Sequence, residues 1–342
     1  MATRPRVSVV MAVYNGGAFL REAVDSILSQ SFADFEFVIV DDGSVDATPA
    51  ILAGYHDPRL RVHTVAHVGI TGAVNIGLAE CGGELIARMD ADDVARVDRL
   101  ACEVALMDAE PNVDIACSDI VSIDEAGQVI GRQTEPRATN ERIRDGLLFR
   151  RLVKPIINPT VLMRRRVIET LGGYRDFLWS EEHDFWLRAV DHFQFRRINL
   201  PLLKYRIHRG GVTRAKFAIQ ATSACMGAAN YLVEKRTGVD LYAHDPPLFQ
   251  ALSAFARERL DRDILPAARA FRNVREKMAP GRIAVGYWGL AKVVLRHGPI
   301  ALPFIARGGC AEVVEEVVQK ALHEIRYRVD APTPGDDLVF DR

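Results

Sequence analysis

The chain reads as an α/β protein, a doubly wound and mostly parallel sheet flanked by helices. A helical extension follows after about residue 210. Three observations predict this. Strand-like runs at 7–13, 35–40, 60–65 and 85–89 alternate with helix-period segments. The first two runs are near-continuously apolar, as suits strands covered on both faces. Polar breaks follow the first, second and fourth runs, and ligands of such sheets bind beyond the carboxyl ends of the strands.

The elements follow in order. Valine dominates the first strand, and Asn15-Gly16-Gly17 breaks it. Phe19, Leu20, Ala23, Val24, Ile27 and Leu28 then recur at helical spacing, with Arg21, Glu22 and Asp25 opposite. The second strand ends at Asp41-Asp42-Gly43-Ser44. Thr48-Pro49 predicts an N-cap followed by proline at the first helical position. Residues 71–79 form a short helix closed by Gly82-Gly83, and the fourth strand follows. This alternation implies right-handed crossovers.

Further on, 98–107 is helical in pattern, and 115–118 and 121–123 read as short strands. Glu125-Ala126-Gly127-Gln128 reads as a hairpin turn. Residues 133–144 are polar, carry Pro136, and read as a loop over the site. Ile156-Ile157-Asn158-Pro159-Thr160 precedes a strand at 161–163 and a helix at 165–171, which Gly172-Gly173 stops. Helices are expected at 217–236, 248–260 and 264–274. Two apolar runs, 283–295 and 299–305, are flanked by Arg282, Arg296, His297 and Arg307. Docking on an anionic membrane, core packing and a homodimer contact all fit them. Residues 331–342 are polar with two prolines and are expected to fray.

Bulk properties narrow the function. The 342 residues suffice for one large domain or two, and 49% hydrophobic with 26% charged content is ordinary for a globular chain. A formal net charge of −1 leaves no electrostatic footprint for nucleic acid. Five scattered cysteines without a Cys-x-x-Cys point to reduced thiols and a cytoplasmic setting. The apolar run after Arg4 and Arg6 is short and lacks a small-residue cleavage site, so a signal peptide is not expected. No apolar stretch approaches the roughly 20 residues of a membrane span.

The most informative stretch is Arg88-Met89-Asp90-Ala91-Asp92-Asp93, with three carboxylates in four positions. Like charges repel, and each unit of pKa shift corresponds to ~1.4 kcal/mol, so a positive charge belongs among them. Mg²⁺ and Mn²⁺ take oxygen ligands and bridge to phosphate oxygens. An Asp-x-Asp that holds a metal, which holds a nucleoside diphosphate, is one reading. A solvated acidic turn that caps the next helix is the other. Tyr14-Asn15-Gly16-Gly17-Ala18-Phe19 is no Gly-x-Gly-x-x-Gly, which argues against a dinucleotide-binding dehydrogenase. It also lacks the Lys or Arg that a nucleotidyltransferase phosphate loop normally carries.

Four separated motifs then fall in order: Val7-Ser8-Val9-Val10-Met11-Ala12-Val13-Tyr14-Asn15, Ser26-Ile27-Leu28-Ser29-Gln30-Ser31, Val40-Asp41-Asp42-Gly43-Ser44 and Asp90-Ala91-Asp92-Asp93. Together they resemble the inverting family-two glycosyltransferases of GT-A fold, over roughly residues 6–208. The resemblance implies a glycosyltransferase domain at 1–210, its nucleotide-sugar half at about 1–95 and its acceptor half at about 96–210, with 211–342 as the extension. It places Ala12, Tyr14 and Asn15 at the nucleobase and makes Asp42 the acceptor of a base N–H, as uracil or thymine offers. The same resemblance puts Asp90 near the ribose and Asp92, with Asp93 beside it, on Mg²⁺ or Mn²⁺. One of Asp41 and Asp42 is expected to close an Asx-type turn and the other to meet ligand.

In Trp179-Ser180-Glu181-Glu182-His183-Asp184 the acids open a helix, where the macrodipole favours them. The stretch also resembles the family's Glu-Asp segment, whose aspartate is the general base. Glu182 occupies that position here, with a stem one methylene longer. Asp184 is the second candidate and His183 the third. Leu203-Lys204-Tyr205-Arg206-Ile207-His208 is similar to the family's Tyr-Arg-x-His segment and would bring His208 to the diphosphate or metal. Arg206 and Arg209 are candidate phosphate partners.

The resemblance thus implies inverting, metal-dependent transfer from a UDP- or dTDP-sugar to a glycan or lipid-linked acceptor, in cell-surface polysaccharide or glycolipid synthesis. The cytoplasm, or the inner face of the membrane reached through the C-terminal runs, is the expected location. Two other classes stay open at this point: a GT-A module that binds nucleotide-sugar without catalysis, and a sugar-phosphate nucleotidyltransferase.

Overall fold

The structure, a computed structural model, describes residues 4–133, 139–148, 156–177, 180–208, 210, 217–264 and 311–330. The expectations for 134–138, Trp179, Arg209, 265–274, 283–305 and 331–342 lie outside the described residues. The chain divides into two compact units, Met1–Leu147 with Arg151–Gln220 and Leu148–Arg150 with Ala221–Arg342.

In the first unit, β1 (Val7–Val13) is buried along its whole length. It pairs in parallel with β2 (Phe35–Asp41) on one side and, across α1 (Leu20–Leu28), α2 (Thr48–Ala53), β3 (Leu60–Thr64) and α3 (Gly69–Glu80) in sequence, with β4 (Leu85–Arg88) on the other. β3 adds to the free side of β2, also in parallel. Side chains alternate across a strand, so β1 faces both ways. Val7, Val9, Met11 and Val13 share a core with Leu20, Val24 and Ile27 of α1. On the opposite face α3 lies so close that a Cβ on Gly77 would fall 2.6 Å from Val10 Cγ2.

The other half of the sheet is mixed. After β5 (Val94–Ala95) and α4 (Arg99–Ala109) come β6 (Ile115–Ile123), β7 (Val129–Gln133) and α5 (Asn140–Leu147). β8 (Leu162–Arg164), α6 (Arg165–Leu171), α7 (Glu181–Ala189) and β9 (Phe195–Arg206) complete the unit's sheet and its flanks. The strand order is β3-β2-β1-β4-β8-β6-β9-β5, with β7 on β6. β8 runs antiparallel to β4 and β6, whereas β9 runs parallel to β6. The two short strands expected at 115–123 are one strand whose register against β9 shifts at Asp119.

Thr48 begins α2 rather than capping it. Its amide is held by Asp46 Oδ1 at 2.9 Å, while its hydroxyl accepts from Gly16 N at 3.0 Å. Gly172 ends α6 in the left-handed region, at φ 74°.

The second unit comprises α8 (Phe217–Thr237) from Ala221 onward, α9 (Leu241–His244), α10 (Pro246–Arg259) and α11 (Ala311–Asp330). Val313, Val314, Val317, Val318 and Ala321 give α11 a buried stripe, and Arg259 of α10 pairs with its Glu316. Among the described residues no helix is long and apolar enough to cross a membrane.

Candidate active site

Because β1, β2 and β4 are parallel neighbours, the segments leaving their carboxyl ends meet at one edge of the sheet. The first two are stapled together. Asn15 adopts φ 53°, a conformation asparagine tolerates better than most residues. Its amide donates to Ser44 Oγ at 2.8 Å, and its Oδ1 accepts from Val45 N at 2.9 Å. Gly17 N donates to Asp46 Oδ2 at 2.9 Å. Ala12 lies just inside this edge, almost fully buried.

The adjacent aspartates divide the work. Asp41 Oδ1 accepts from Ser44 N at 3.0 Å and closes the turn at Gly43. Asp42 turns to the start of α3, where its Oδ1 accepts from Val68 N at 2.7 Å and its Oδ2 from Gly69 N at 3.0 Å. An anion at a helix N-terminus is favoured by the dipole and by unpaired amides. His67 Nδ1 lies 2.9 Å from the same Oδ2, and the ring of Tyr14 packs on His67 with centroids 4.2 Å apart.

After β4 the chain carries its acids over two buried guanidinium groups. Arg88 donates to Val10 O at 3.0 Å and to Asp90 Oδ1 at 3.3 Å. Arg99 bridges Glu103 Oε1 at 3.0 Å and Arg88 O at 2.9 Å. Even so, burial pushes the Asp90 carboxyl up to about 6, with Asp92 and Glu182 adding to the rise and Arg88 and Arg99 opposing it. Burial and its two neighbouring aspartates likewise hold Asp93 well above the carboxylate range.

Asp92 and Asp93 point apart. Asp92 Oδ2 meets His208 Nε2 at 2.9 Å. Asp93 was expected beside a metal. Its side chain is instead 0% exposed and turned inward, with Oδ1 on Arg206 N at 2.8 Å and no hydrogen-bond partner on Oδ2. Arg206 is not poised for phosphate. Its guanidinium donates to Asp92 O, Asp124 O and Glu22, and lies 4.5 Å over the Phe19 ring. Phe19 in turn packs on His208, centroids 4.9 Å apart.

Across the edge stands the start of α7. Burial, then the neighbouring Glu182, pushes the Glu181 carboxyl up to about 8, with Asp90 adding to the rise. Glu182 and Asp90 thus feel each other across 92 residues of sequence. Asp184, the second candidate for the base, is taken up by structural ion pairs. It is 2% exposed and clamped by Arg175, with Nε 2.9 Å from Oδ2, and by Arg188, whose Nε is also 2.9 Å from Oδ2. Arg188 further donates to Leu171 O and Gly173 O. Asn75 of α3 holds Tyr174 through both its amide groups, at 2.8 and 2.9 Å. Tyr174 stacks on Phe185 of α7, centroids 4.5 Å apart.

Among the described residues no three His, Cys, Asp or Glu side chains converge on one point. The Asp92–His208 pair offers one carboxylate and one imidazole, a donor set that suits a divalent cation whose other ligands are phosphate oxygens and water. Sequence reasoning missed His67, Asn75, Arg88 and Arg99. Of these, Arg88 carried a signal, a lone arginine inside an otherwise apolar strand run.

Parallel β1, β2 and β4, the antiparallel β8 and the acidic segment at their edge make this the GT-A architecture of glycosyltransferases. One solved structure similar to it is residues 1–349 of TarS from S. aureus in complex with UDP-GlcNAc. The TM-score is 0.55 at 17% identity, covering 93% of this chain and 92% of that one. Residues 8–172 match the model of Glycosyl transferase family 2. The chain is 30% identical over 214 residues to the putative glycosyltransferase EpsE of Bacillus subtilis, covering 60% of this chain and 74% of the relative. It is 28% identical to the O-antigen biosynthesis glycosyltransferase WbnJ of Escherichia coli, covering 62% and 84%. The chain belongs to glycosyltransferase family 2, which sets aside the nucleotidyltransferase reading.

Proposed function

We propose that this enzyme transfers a sugar, with inversion, from a nucleoside-diphosphate sugar to the hydroxyl of a glycan or lipid-linked acceptor in cell-surface polysaccharide or glycolipid synthesis. The observation that carries the reading is the capture of Asp184 by two arginines, which leaves Glu182 as the acid at the start of α7 whose charge adds to the rise of the Asp90 carboxyl just after β4. Tyr14 and Ala12 line the base, with Asp42 behind them, and Asp90 reaches the ribose. Asp92 and His208 would hold Mg²⁺ or Mn²⁺, which would supply positive charge against the leaving diphosphate.

Glu182 takes the proton from the acceptor hydroxyl as its oxygen attacks the anomeric carbon opposite the leaving diphosphate. A base must come within ~2.6–3.2 Å of that hydroxyl. Glu181, pushed up to about 8, keeps its proton at neutral pH and adds no second charge beside the base. Positioning of donor and acceptor supplies much of the rate. The acceptor class is supported by the role of the relative WbnJ in O-antigen biosynthesis, and inner-face membrane contact by the basic-flanked 283–305 run alone.

The experiment is a screen of nucleotide sugars for release of nucleoside diphosphate, with and without Mn²⁺, on the wild type and Glu182→Gln. Release by the wild type that Glu182→Gln loses supports the reading. Equal rates in both place the base elsewhere.

A further inference from the structure

Asp42, the residue matched to the nucleobase, has little left to offer a ligand. Its side chain is 3% exposed. Oδ1 already takes Val68 N, and Oδ2 takes Gly69 N together with His67 Nδ1. What it presents outward is an imidazole. His67 Nδ1 faces two acceptors, Asp42 Oδ2 at 2.9 Å and Asp42 O at 3.1 Å. Neither a carboxylate nor a carbonyl oxygen donates, so Nδ1 carries the hydrogen. That fixes the tautomer, and in the neutral ring Nε2 is left as an acceptor. His67 is 56% exposed and Tyr14 49% exposed, and their rings form one open shelf.

We propose that His67, held by Asp42, is the residue that selects the nucleobase of the donor. Its Nε2 accepts the ring N–H of uracil, thymine or guanine. Cytosine and adenine present an unprotonated ring nitrogen at the matching place, and two acceptors face each other without a hydrogen. Asp42 acts through the histidine, as the group that orients it. The inference rests on the nucleotide-sugar reading above and narrows its donor class.

Calorimetric titration of the full chain with UDP, CDP, GDP and ADP in the presence of Mn²⁺ tests it. The wild type should bind UDP over CDP, or GDP over ADP, by about tenfold or more, the worth of one hydrogen bond out of water. His67→Phe keeps a ring against Tyr14 but has no acceptor. His67→Leu keeps apolar bulk against Tyr14 but has neither donor nor acceptor. In both, the ratio should fall to about threefold or less. N3-methyl-UDP, or N1-methyl-GDP, repeats the test on the unaltered protein and should bind about tenfold more weakly than its parent. A wild-type ratio near one, an undiminished ratio in either variant, or equal binding of the methylated nucleotide overturns the assignment. Failure of the wild type to bind any of the four is a separate result, which overturns the donor reading and this inference with it.

Discussion

His208 Nε2 lies 2.9 Å from Asp92 Oδ2, although 116 residues separate the two in sequence. The contact ties the end of β9 to the segment after β4 and leaves the carboxylate about a third exposed. Asp92→Ala should therefore fold normally while losing about 100-fold or more in metal-dependent turnover. His208→Ala should raise the Mn²⁺ concentration needed for half-maximal rate. Steady-state kinetics across a Mn²⁺ titration, with and without EDTA, checks both. Wild-type turnover in Asp92→Ala would falsify the metal assignment.

Replacing Glu182 by Gln removes the proposed base and keeps the shape. We expect unchanged donor affinity by calorimetry and a fall of about 10²–10⁴ in kcat. Glu182→Asp should recover part of the rate, because it restores the carboxylate with a shorter reach.

Asp184 has the opposite profile. Its loss takes the shared carboxylate from Arg175 and Arg188, and Arg188 also holds Leu171 O and Gly173 O. Breaking a buried pair by removing one partner costs about 3–5 kcal/mol, and partial solvent access of the arginines puts Asp184→Asn at the lower end. Thermal melting should show the drop. Unchanged Tm with abolished activity would reassign Asp184 to the chemistry.

The Glu181 carboxyl gives a pH signature. Its ordinary value of 4.5 rises to about 8 in the folded chain. Between those values the folded state holds the extra proton, so stability falls as pH rises through that window and levels off above it. Asp90, raised from 3.8 to about 6, acts in the same direction over a narrower window. Glu181→Gln should flatten the decline in Tm between pH 6 and pH 8.5. A variant whose Tm tracks the wild type across that range shows that the group titrates elsewhere.

Gly77 permits the contact of α3 with the sheet. A Cβ there would lie 2.6 Å from Val10 Cγ2 and 3.2 Å from Val40 Cγ2. Overpacking of this kind costs about 1–3 kcal/mol, so Gly77→Ala should lower the denaturation midpoint. Gly69→Ala meets no atom within 4 Å, but its φ of +81° is strained for alanine, and it tests backbone conformation without packing.

The parallel half of the fold was legible because β1 and β2 are near-continuously apolar and its motifs sit at strand ends. β9 was not, because charges interrupt its pattern. Arg197 is buried against Asp119 at 2.7 Å, and Arg206 is buried under Asp92. The same Asp119 made β6 look like two strands. Of the candidate site, Asp92, His208 and Glu182 were singled out by the acidic spacing and the resemblance. The inward turn of Asp93 was not, because it depends on the backbone amide of Arg206, 113 residues on, and the capture of Asp184 was not, because it needs Arg175 of the preceding loop to fold back beside Arg188. His67 left no mark in the sequence beyond a lone histidine after a strand.

One helix, α3, touches both ends of this arrangement. Its first amides grip Asp42 at the nucleobase end, and Asn75, two turns along, fastens the loop that leads into α7 and Glu182. The proposed donor pocket and the helix that carries the proposed base therefore hang from a single strut, so a graft meant to exchange nucleotide preference with a relative has to carry residues 67–77 as one piece, Asn75 included.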